Sequence, residues 1–139
     1  MKNFKEREIM KLEELALFMG GSLQVRLDTT SWEDARDYIL YNQQHHQLDG
    51  YEVIEEEVID SRTVTTDREV TLLEEGDLLF SLLSGKAVLV RAEHAGLLYT
   101  QNYIKIEPIA KLDKAFLLYL IMNPRLLDGS FTKAYRGVR

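Results

Sequence analysis

The chain of 139 residues contains no cysteine, only two prolines and a single tryptophan. Without cysteine it can form neither disulfides nor thiolate metal sites, which is typical of a reducing compartment. No stretch approaches the roughly 20 apolar residues of a membrane span. The first ten residues carry mixed charge and no apolar segment of the signal-peptide kind. We therefore expect a cytoplasmic protein with no membrane partner, folded as one domain over residues 1–139.

Sequence motifs of the common enzyme classes are also missing. No serine lies in the Gly-x-Ser-x-Gly turn of a hydrolase, and no His-Glu-x-x-His metal spacing occurs. The run Ser84-Gly85-Lys86 is not a phosphate loop, because the upstream glycine is absent and Ala87 stands where Ser or Thr would hold magnesium. No methyltransferase tetrapeptide of the Asn-Pro-Pro-Tyr type is present. We expect a non-catalytic protein without a cofactor.

Histidine is scarce too, and its spacing does not suggest a metal site. His45 and His46 are adjacent, so on a strand their side chains would point to opposite faces and could not easily share one ion. His94 lies alone in a turn region. We expect all three to lie in loops or on the surface, and we expect no bound metal.

Charge is distributed unevenly along the chain. The net charge is −6, which does not favour a nucleic-acid binder. Residues 49–77 hold eleven acids against two arginines and are predicted to form a solvated acidic face, whereas residues 111–139 have a net charge of +4. Such asymmetry can present a basic surface on an acidic protein.

The clearest structural pattern lies in residues 75–106. Glu75-Gly76-Asp77 predicts a turn that leads into an apolar strand at Leu78-Leu79-Phe80. Lys86–Val90 predicts a second strand, and Thr100–Ile106 predicts a third, with alternating polar and apolar residues. Gly85 and Gly96 mark the intervening turns.

The remaining segments predict a mixture of loops, strands and helices, and some of them fit more than one of these. Residues 10–21 fit either a short helix or a strand followed by a glycine turn. We predict a polar loop or brief helical turn at 29–36, a strand at 37–46, a turn at 49–50, an exposed strand or loop at 51–59, and a short edge strand at 63–66. Asp113 is predicted to cap a helix that ends at Asn123, before Pro124.

Four phrases, in this order, resemble the target-recognition domain of a type I restriction-enzyme specificity (S) subunit: Lys11–Gly20, Gly76–Val90, Thr100–Pro108 and Leu112–Asn123. The resemblance implies an α+β (α/β) fold with a twisted, largely antiparallel sheet and a few flanking helices. It also implies a module that reads one half of a bipartite DNA site without catalysis. The implied partners are double-stranded DNA and a methyltransferase (modification) subunit, with a homodimer imitating the two-domain subunit.

Several departures from the family pattern leave a second hypothesis open. The chain carries one recognition domain, no heptad helix, and ends soon after the last matching helix, so it is either truncated at the C-terminus or a half-size or stand-alone relative. The loop after Ser81 lacks the arginine and glycines of many relatives. The alternative is a relative that kept the fold and acts as a protein-interaction or regulatory module. Under the DNA-reading hypothesis, the candidate contacts are polar and basic: Ser84, Lys86, Gln101, Asn102, Lys105, Lys133, Arg136 and Arg139.

Overall fold

A computed structural model describes residues 16–22, 27–55, 59, 61–109 and 112–123. In these ranges the strands are β1 (Ala16–Gly20), β2 (Arg36–Ile39), β3 (Thr63–Thr66), β4 (Leu78–Ser81), β5 (Ala87–Leu89) and β6 (Tyr103–Pro108). The helices are α1 (Gln43–Asp49), a 3₁₀ turn (Ala92–His94) and α2 (Lys114–Met122). The predicted α+β class with antiparallel strand pairing is confirmed.

The main sheet has four strands in the order β1-β6-β4-β5, and every neighbouring pair is antiparallel. β2 and β3 form a separate antiparallel ribbon, in which Tyr38 lies opposite Val64. The strands predicted in residues 75–106 and at 63–66 are thereby confirmed. Of the two alternatives for the segment before Gly21, the strand is correct for residues 16–20, whereas residues 10–15 lie outside the described residues.

Two apolar cores lie on opposite faces of the main sheet, because successive strand residues point to opposite sides. On one face, Leu78, Phe80 and Ile106 pack against α2 through Leu117 and Leu120. On the other face, the buried residues come from β4–β6 and from the segments that cover them: Tyr41, Leu73, Leu79, Val88, Val90, Leu97, Tyr99 and Tyr103. The sheet is therefore covered on both sides.

Local signals explain where the helices begin. Asp113 accepts a hydrogen bond from the amide of Ala115 at 2.8 Å, and α2 ends before Asn123, as predicted. α1 was not predicted, since residues 37–46 were expected to be one strand. That prediction is wrong beyond Ile39, because Asn42 caps a helix: its side chain accepts from the amides of Gln44 and His45 at 2.9 and 3.1 Å.

The predicted turns around the central strands are confirmed by backbone conformation. Gly76 and Gly85 have φ of +85° and +72°, values that residues with a Cβ rarely adopt. The turn predicted at 49–50 is present as the end of α1, where the Gly50 amide donates to the carbonyl of His46. The Gly85 turn joins β4 to β5, and the Gly76 turn lies at the opposite end of the same strand pair, where its amide donates to the carbonyl of Val90.

Candidate functional site

A cleft lies at the end of the main sheet where β4 ends and β6 begins. Ser81 and Tyr103 lie directly opposite each other in the strand register. The turn after β4 and the turn before β6 are joined by a hydrogen bond from the Leu82 amide to the Asn102 carbonyl, at 2.9 Å. α1 begins at the same place. The cavity of about 420 Å³ is therefore bounded by α1, both turns and the end of the β2–β3 ribbon.

The lining of this cleft is rich in groups that form hydrogen bonds. Its side chains include four amides and one guanidinium, beside the rings of Tyr41 and Tyr103: Asn42, Gln43, Gln44, Asn102 and Arg62. Amides carry both donors and acceptors, and the guanidinium carries donors only. A cleft of this composition can bind a planar polar ligand through directed hydrogen bonds, while its tyrosine rings and leucines contact the apolar parts of that ligand.

Tyr41, which lines the cleft, is hydrogen-bonded to a buried carboxylate, Asp49. It accepts hydrogen bonds from the hydroxyl of Tyr41 at 2.7 Å, from Nδ1 of His94 at 2.8 Å and from the amide of Arg91 at 3.0 Å. Burial raises the pKa of the Tyr41 hydroxyl, and its hydrogen bond to Asp49 raises it further. Asp49 therefore connects the end of α1 to the 3₁₀ turn and to Tyr41, which lines the cleft.

The expectation that the histidines are exposed or lie in loops is wrong. All three are buried, because His45 and His46 belong to a helix that packs on the sheet and His94 contacts that helix through Asp49. Nδ1 of His45 accepts from the Asn42 amide at 2.9 Å, and Nε2 of His46 lies 3.3 Å from the carbonyl of Leu79. Burial lowers the pKa of His45 to about 4, aided by the nearby His94 and opposed by Asp49.

The acidic stretch at 49–77 is likewise only partly a solvated face. Asp49 and Asp77 are buried. Asp77 accepts from the amide of Glu74 at 2.8 Å and lies 3.6 Å from Nζ of Lys114, so it joins the turn before β4 to α2. The half-buried Asp67 holds the residues before β2, and hydrogen bonds from Thr30 lower its pKa to about 2. These three acids stabilise turns rather than face a ligand.

Two of the predicted DNA-contacting residues, Ser84 and Lys86, lie in the exposed turn between β4 and β5. The hydroxyl of Ser84 accepts from the amide of Lys86 at 3.3 Å. Nζ of Lys86 lies 3.3 Å from Oε1 of Glu52, so this cation already has an anionic partner. The turn itself borders the cleft through Leu83.

The other described candidates lie on or near β6. Gln101 and Asn102 are exposed in the turn before β6, and Asn102 lines the cleft. Lys105 is farther along β6, with its side chain 17% exposed and its Nζ 4.0 Å from Oε1 of Glu107. The structure therefore brings Asn102 to the cleft and leaves Lys105 beside an acid within the sheet. Three candidates lie outside the described residues: Lys133, Arg136 and Arg139.

Sequence reasoning missed four of the five hydrogen-bonding side chains of the cleft, namely Asn42, Gln43, Gln44 and Arg62. The two glutamines were assigned to a strand, and Arg62 was counted only as a charge within the acidic stretch. One local signal was available for the glutamines, since Asn42 before two glutamines and a histidine fits a helix start. Nothing local to Arg62 indicates that it reaches the cleft.

Two kinds of feature are absent from the part of the chain that the structure describes. Among those residues, no three His, Asp or Glu side chains are arranged so as to hold a metal ion. No helix in the same ranges is long and apolar enough to cross a membrane.

Comparison with known proteins finds a likeness among solved structures. No protein-family model matches the chain, and no curated protein matches it. Among solved structures, the chain is similar to the crystal structure of the HsdS subunit from Thermoanaerobacter tengcongensis, with 13% sequence identity and a TM-score of 0.49. The match covers 89% of this chain and 29% of that subunit. The chain thus spans less than a third of the length of the protein it matches.

Proposed function

We propose that this protein is a DNA sequence-recognition module of a type I restriction-modification system. It binds one half-site of double-stranded DNA, has no catalytic activity of its own, and positions a methyltransferase or restriction partner in the cytoplasm. The observation that carries the proposal is the cleft in which Asn102 meets Gln43, Gln44 and Arg62. Amides and guanidinium groups are the side chains that form paired hydrogen bonds with base edges in the major groove.

The order of the sequence phrases supports the same proposal. The strand that ends at Ser81 and the turn at Thr100–Asn102 belong to two of the four phrases that resemble a type I specificity subunit. Both lie at the cleft, where Leu82 and Asn102 are hydrogen-bonded. Two of the segments with the family resemblance thus supply one wall of the cleft, whereas Gln43, Gln44 and Arg62 come from parts of the chain outside them.

The test is binding to duplex DNA as a function of salt, with and without a cognate methyltransferase subunit. Each neutralised phosphate releases counterions, so an interface with about three phosphate contacts gives a slope of log K against log salt of roughly −3. We expect Arg62→Gln to weaken binding by about 1–3 kcal/mol and to relax the base preference at one position, as the loss of a base-edge contact does. Arg68→Gln is the matched control, because Arg68 is an exposed arginine that donates to the Asp28 carbonyl away from the cleft.

Absence of duplex binding in every condition, or binding that does not respond to salt, contradicts the proposal. Equal losses in Arg62→Gln and Arg68→Gln contradict the assignment of the cleft as the DNA-contacting surface. Far-UV circular dichroism of both variants establishes that they are folded.

A protein-interaction or regulatory module is the second candidate function, and two observations favour it. Lys86 and Lys105 both lie beside glutamates, which reduces the positive charge they offer to phosphates. The outer side of α2 exposes three large apolar side chains, Phe116, Tyr119 and Met122, which resembles a protein-binding stripe. Capture of a methyltransferase subunit by the chain without any DNA binding, lost in Tyr119→Ser, is the result that selects this function.

A further inference from the structure

The buried hydroxyl of Ser81 has an unambiguous hydrogen-bonding arrangement. Its oxygen accepts from the backbone amides of Leu83 at 3.1 Å and of Ser84 at 3.2 Å. A serine hydroxyl has two lone pairs and one hydrogen. With both lone pairs in use, the hydroxyl can only donate to any third partner.

That third partner is Gln43, whose amide lies 3.0 Å from the Ser81 hydroxyl. Because the hydroxyl must donate, the atom facing it has to be the carbonyl oxygen Oε1. The opposite placement would set the NH₂ group against a hydroxyl with no lone pair left for it. The geometry around Ser81 therefore fixes which end of the Gln43 amide faces inward.

The amide nitrogen Nε2 of Gln43 is the end that remains for the cleft, which Gln43 lines. A glutamine that reads adenine uses both atoms of its amide, accepting from N6 through Oε1 while Nε2 donates to N7. In Gln43 the Ser81 hydroxyl takes one of the two lone pairs of Oε1 and holds that oxygen toward β4, which leaves Nε2 as the outward donor. Arg62, on the same cleft, carries donors only.

We propose that Gln43 is a specificity-determining residue that donates from Nε2 to a base-edge acceptor, and that the base it selects is guanine. Guanine presents two acceptors, N7 and O6, side by side in the major groove, which suits a pair of donor groups. The inference rests on the proposed function and adds to it the identity of one reading residue and one base.

The experiment is selection of bound duplexes from a pool with a randomised segment, using the wild-type chain and Gln43→Glu, with the methyltransferase subunit present if binding requires it. Glutamate keeps an oxygen for Ser81 and replaces the NH₂ donor by an acceptor. We expect one guanine position in the selected site to change toward a base with an N–H₂ donor, cytosine or adenine. Gln47→Glu is the control, because it adds the same charge one helical turn away without lining the cleft.

A second arm leaves the protein unchanged and alters the DNA. Replacing the selected guanine by 7-deazaguanine removes N7, and replacing it by 2-aminopurine removes O6. We expect wild-type affinity to fall roughly fivefold to tenfold with at least one of these analogues, the effect of one lost hydrogen bond. Gln43→Met, which has no donor, is expected to lose no more than twofold with either.

The outcomes separate this inference from the proposed function. If the wild type selects no sequence at all, the proposed function fails and this inference fails with it. If the wild type selects a site and Gln43→Glu gives the same base profile as Gln47→Glu, only the role of Gln43 is overturned. Equal sensitivity of wild type and Gln43→Met to both analogues overturns it independently of the glutamate variant.

Discussion

At the scale of single residues, Asp49 stabilises more of the molecule than its position in an acidic stretch indicates. It accepts hydrogen bonds from the hydroxyl of Tyr41 at the cleft, from Nδ1 of His94 in the 3₁₀ turn and from the backbone amide of Arg91 just before that turn. We expect Asp49→Asn to lower the free energy of unfolding by about 2 kcal/mol, because the new NH₂ group faces a donor in a buried site. Urea unfolding followed by circular dichroism measures this loss of unfolding free energy.

Glu75→Gln provides the control for Asp49→Asn. Glu75 is exposed and belongs to the same acidic stretch, so its neutralisation should change the free energy of unfolding by less than about 0.5 kcal/mol. Similar values for both variants would show that the Asp49 network contributes little.

The buried His45 predicts how stability depends on pH. Its pKa is lowered from 6.5 to about 4 in the folded chain, so between these values the unfolded chain binds a proton that the folded chain does not. Stability from this group is fully present above pH 6.5 and is lost as the pH falls toward 4. We expect His45→Gln, which keeps a capping side chain at that position but does not titrate, to lose less stability over this window.

Unfolding free energies of wild type and His45→Gln at pH 7, 6, 5 and 4 provide the measurement. The two curves are expected to diverge below about pH 6.5, with the wild type falling more steeply. Parallel curves would mean that His45 titrates alike in the folded and unfolded chain.

At the scale of elements, two glycines near the cleft have different physical reasons to be glycine. Gly85 needs its positive φ but has open space for a Cβ, whereas a Cβ on Gly21 would clash with the backbone oxygen of Thr100. We expect Gly85→Ala to lower the unfolding free energy by about 1 kcal/mol and Gly21→Ala by about 3 kcal/mol. Thermal unfolding of both variants tests the order.

Asparagine is the diagnostic substitution for these two sites, because it tolerates the left-handed region better than alanine does. Gly85→Asn should recover most of the stability lost in Gly85→Ala. Gly21→Asn should recover none of the stability lost in Gly21→Ala, since any Cβ at residue 21 clashes with the backbone of Thr100. The reverse pattern would show that the close approach of residues 21 and 100 is not maintained in solution.

Elements whose signals are local were predictable from the sequence. The turn at Gly76, the strands on either side of Gly85 and the helix capped by Asp113 all arise from neighbouring residues, and all are present. The strand predicted through residue 46 failed because two local signals compete there. The β-forming residues Tyr38 and Ile39 end just before a capping asparagine, and that cap starts a helix at the next residue.

The cleft could be predicted only in part, because the residues that line it are far apart in the sequence. Asn102 was identified because it lies within Thr100–Pro108, one of the four segments that resemble the S-subunit family. Gln43 and Arg62 reach the same cleft from α1 and from the ribbon, and their meeting depends on tertiary packing that no local pattern encodes. The same holds for the buried histidines, whose environment is created by the sheet beneath α1.

At the scale of the whole molecule, β4 couples the two cores. Leu78 belongs to the core under α2, and its neighbour Leu79 belongs to the core on the opposite face. We expect Leu78→Ala and Leu79→Ala each to lower the unfolding free energy by roughly 2–5 kcal/mol, the range for leucines in fully packed cores. Since one strand serves both cores, each variant should still unfold in a single transition.

Coincident denaturation curves from far-UV circular dichroism and tyrosine absorbance test that coupling. A first transition confined to one probe in either variant would show that the two faces unfold separately.

The pairing of β1 with β6 has a consequence for how the molecule forms in time. Ala16 lies opposite Pro108, so the first described strand has no partner until almost all of the described chain has been made. At the roughly 5–20 residues per second of synthesis, that delay lasts several seconds. The β4–β5 hairpin can close long before, and β6 then joins it as the next strand of the sheet. During translation β1 therefore remains without its strand partner for longer than any other described strand.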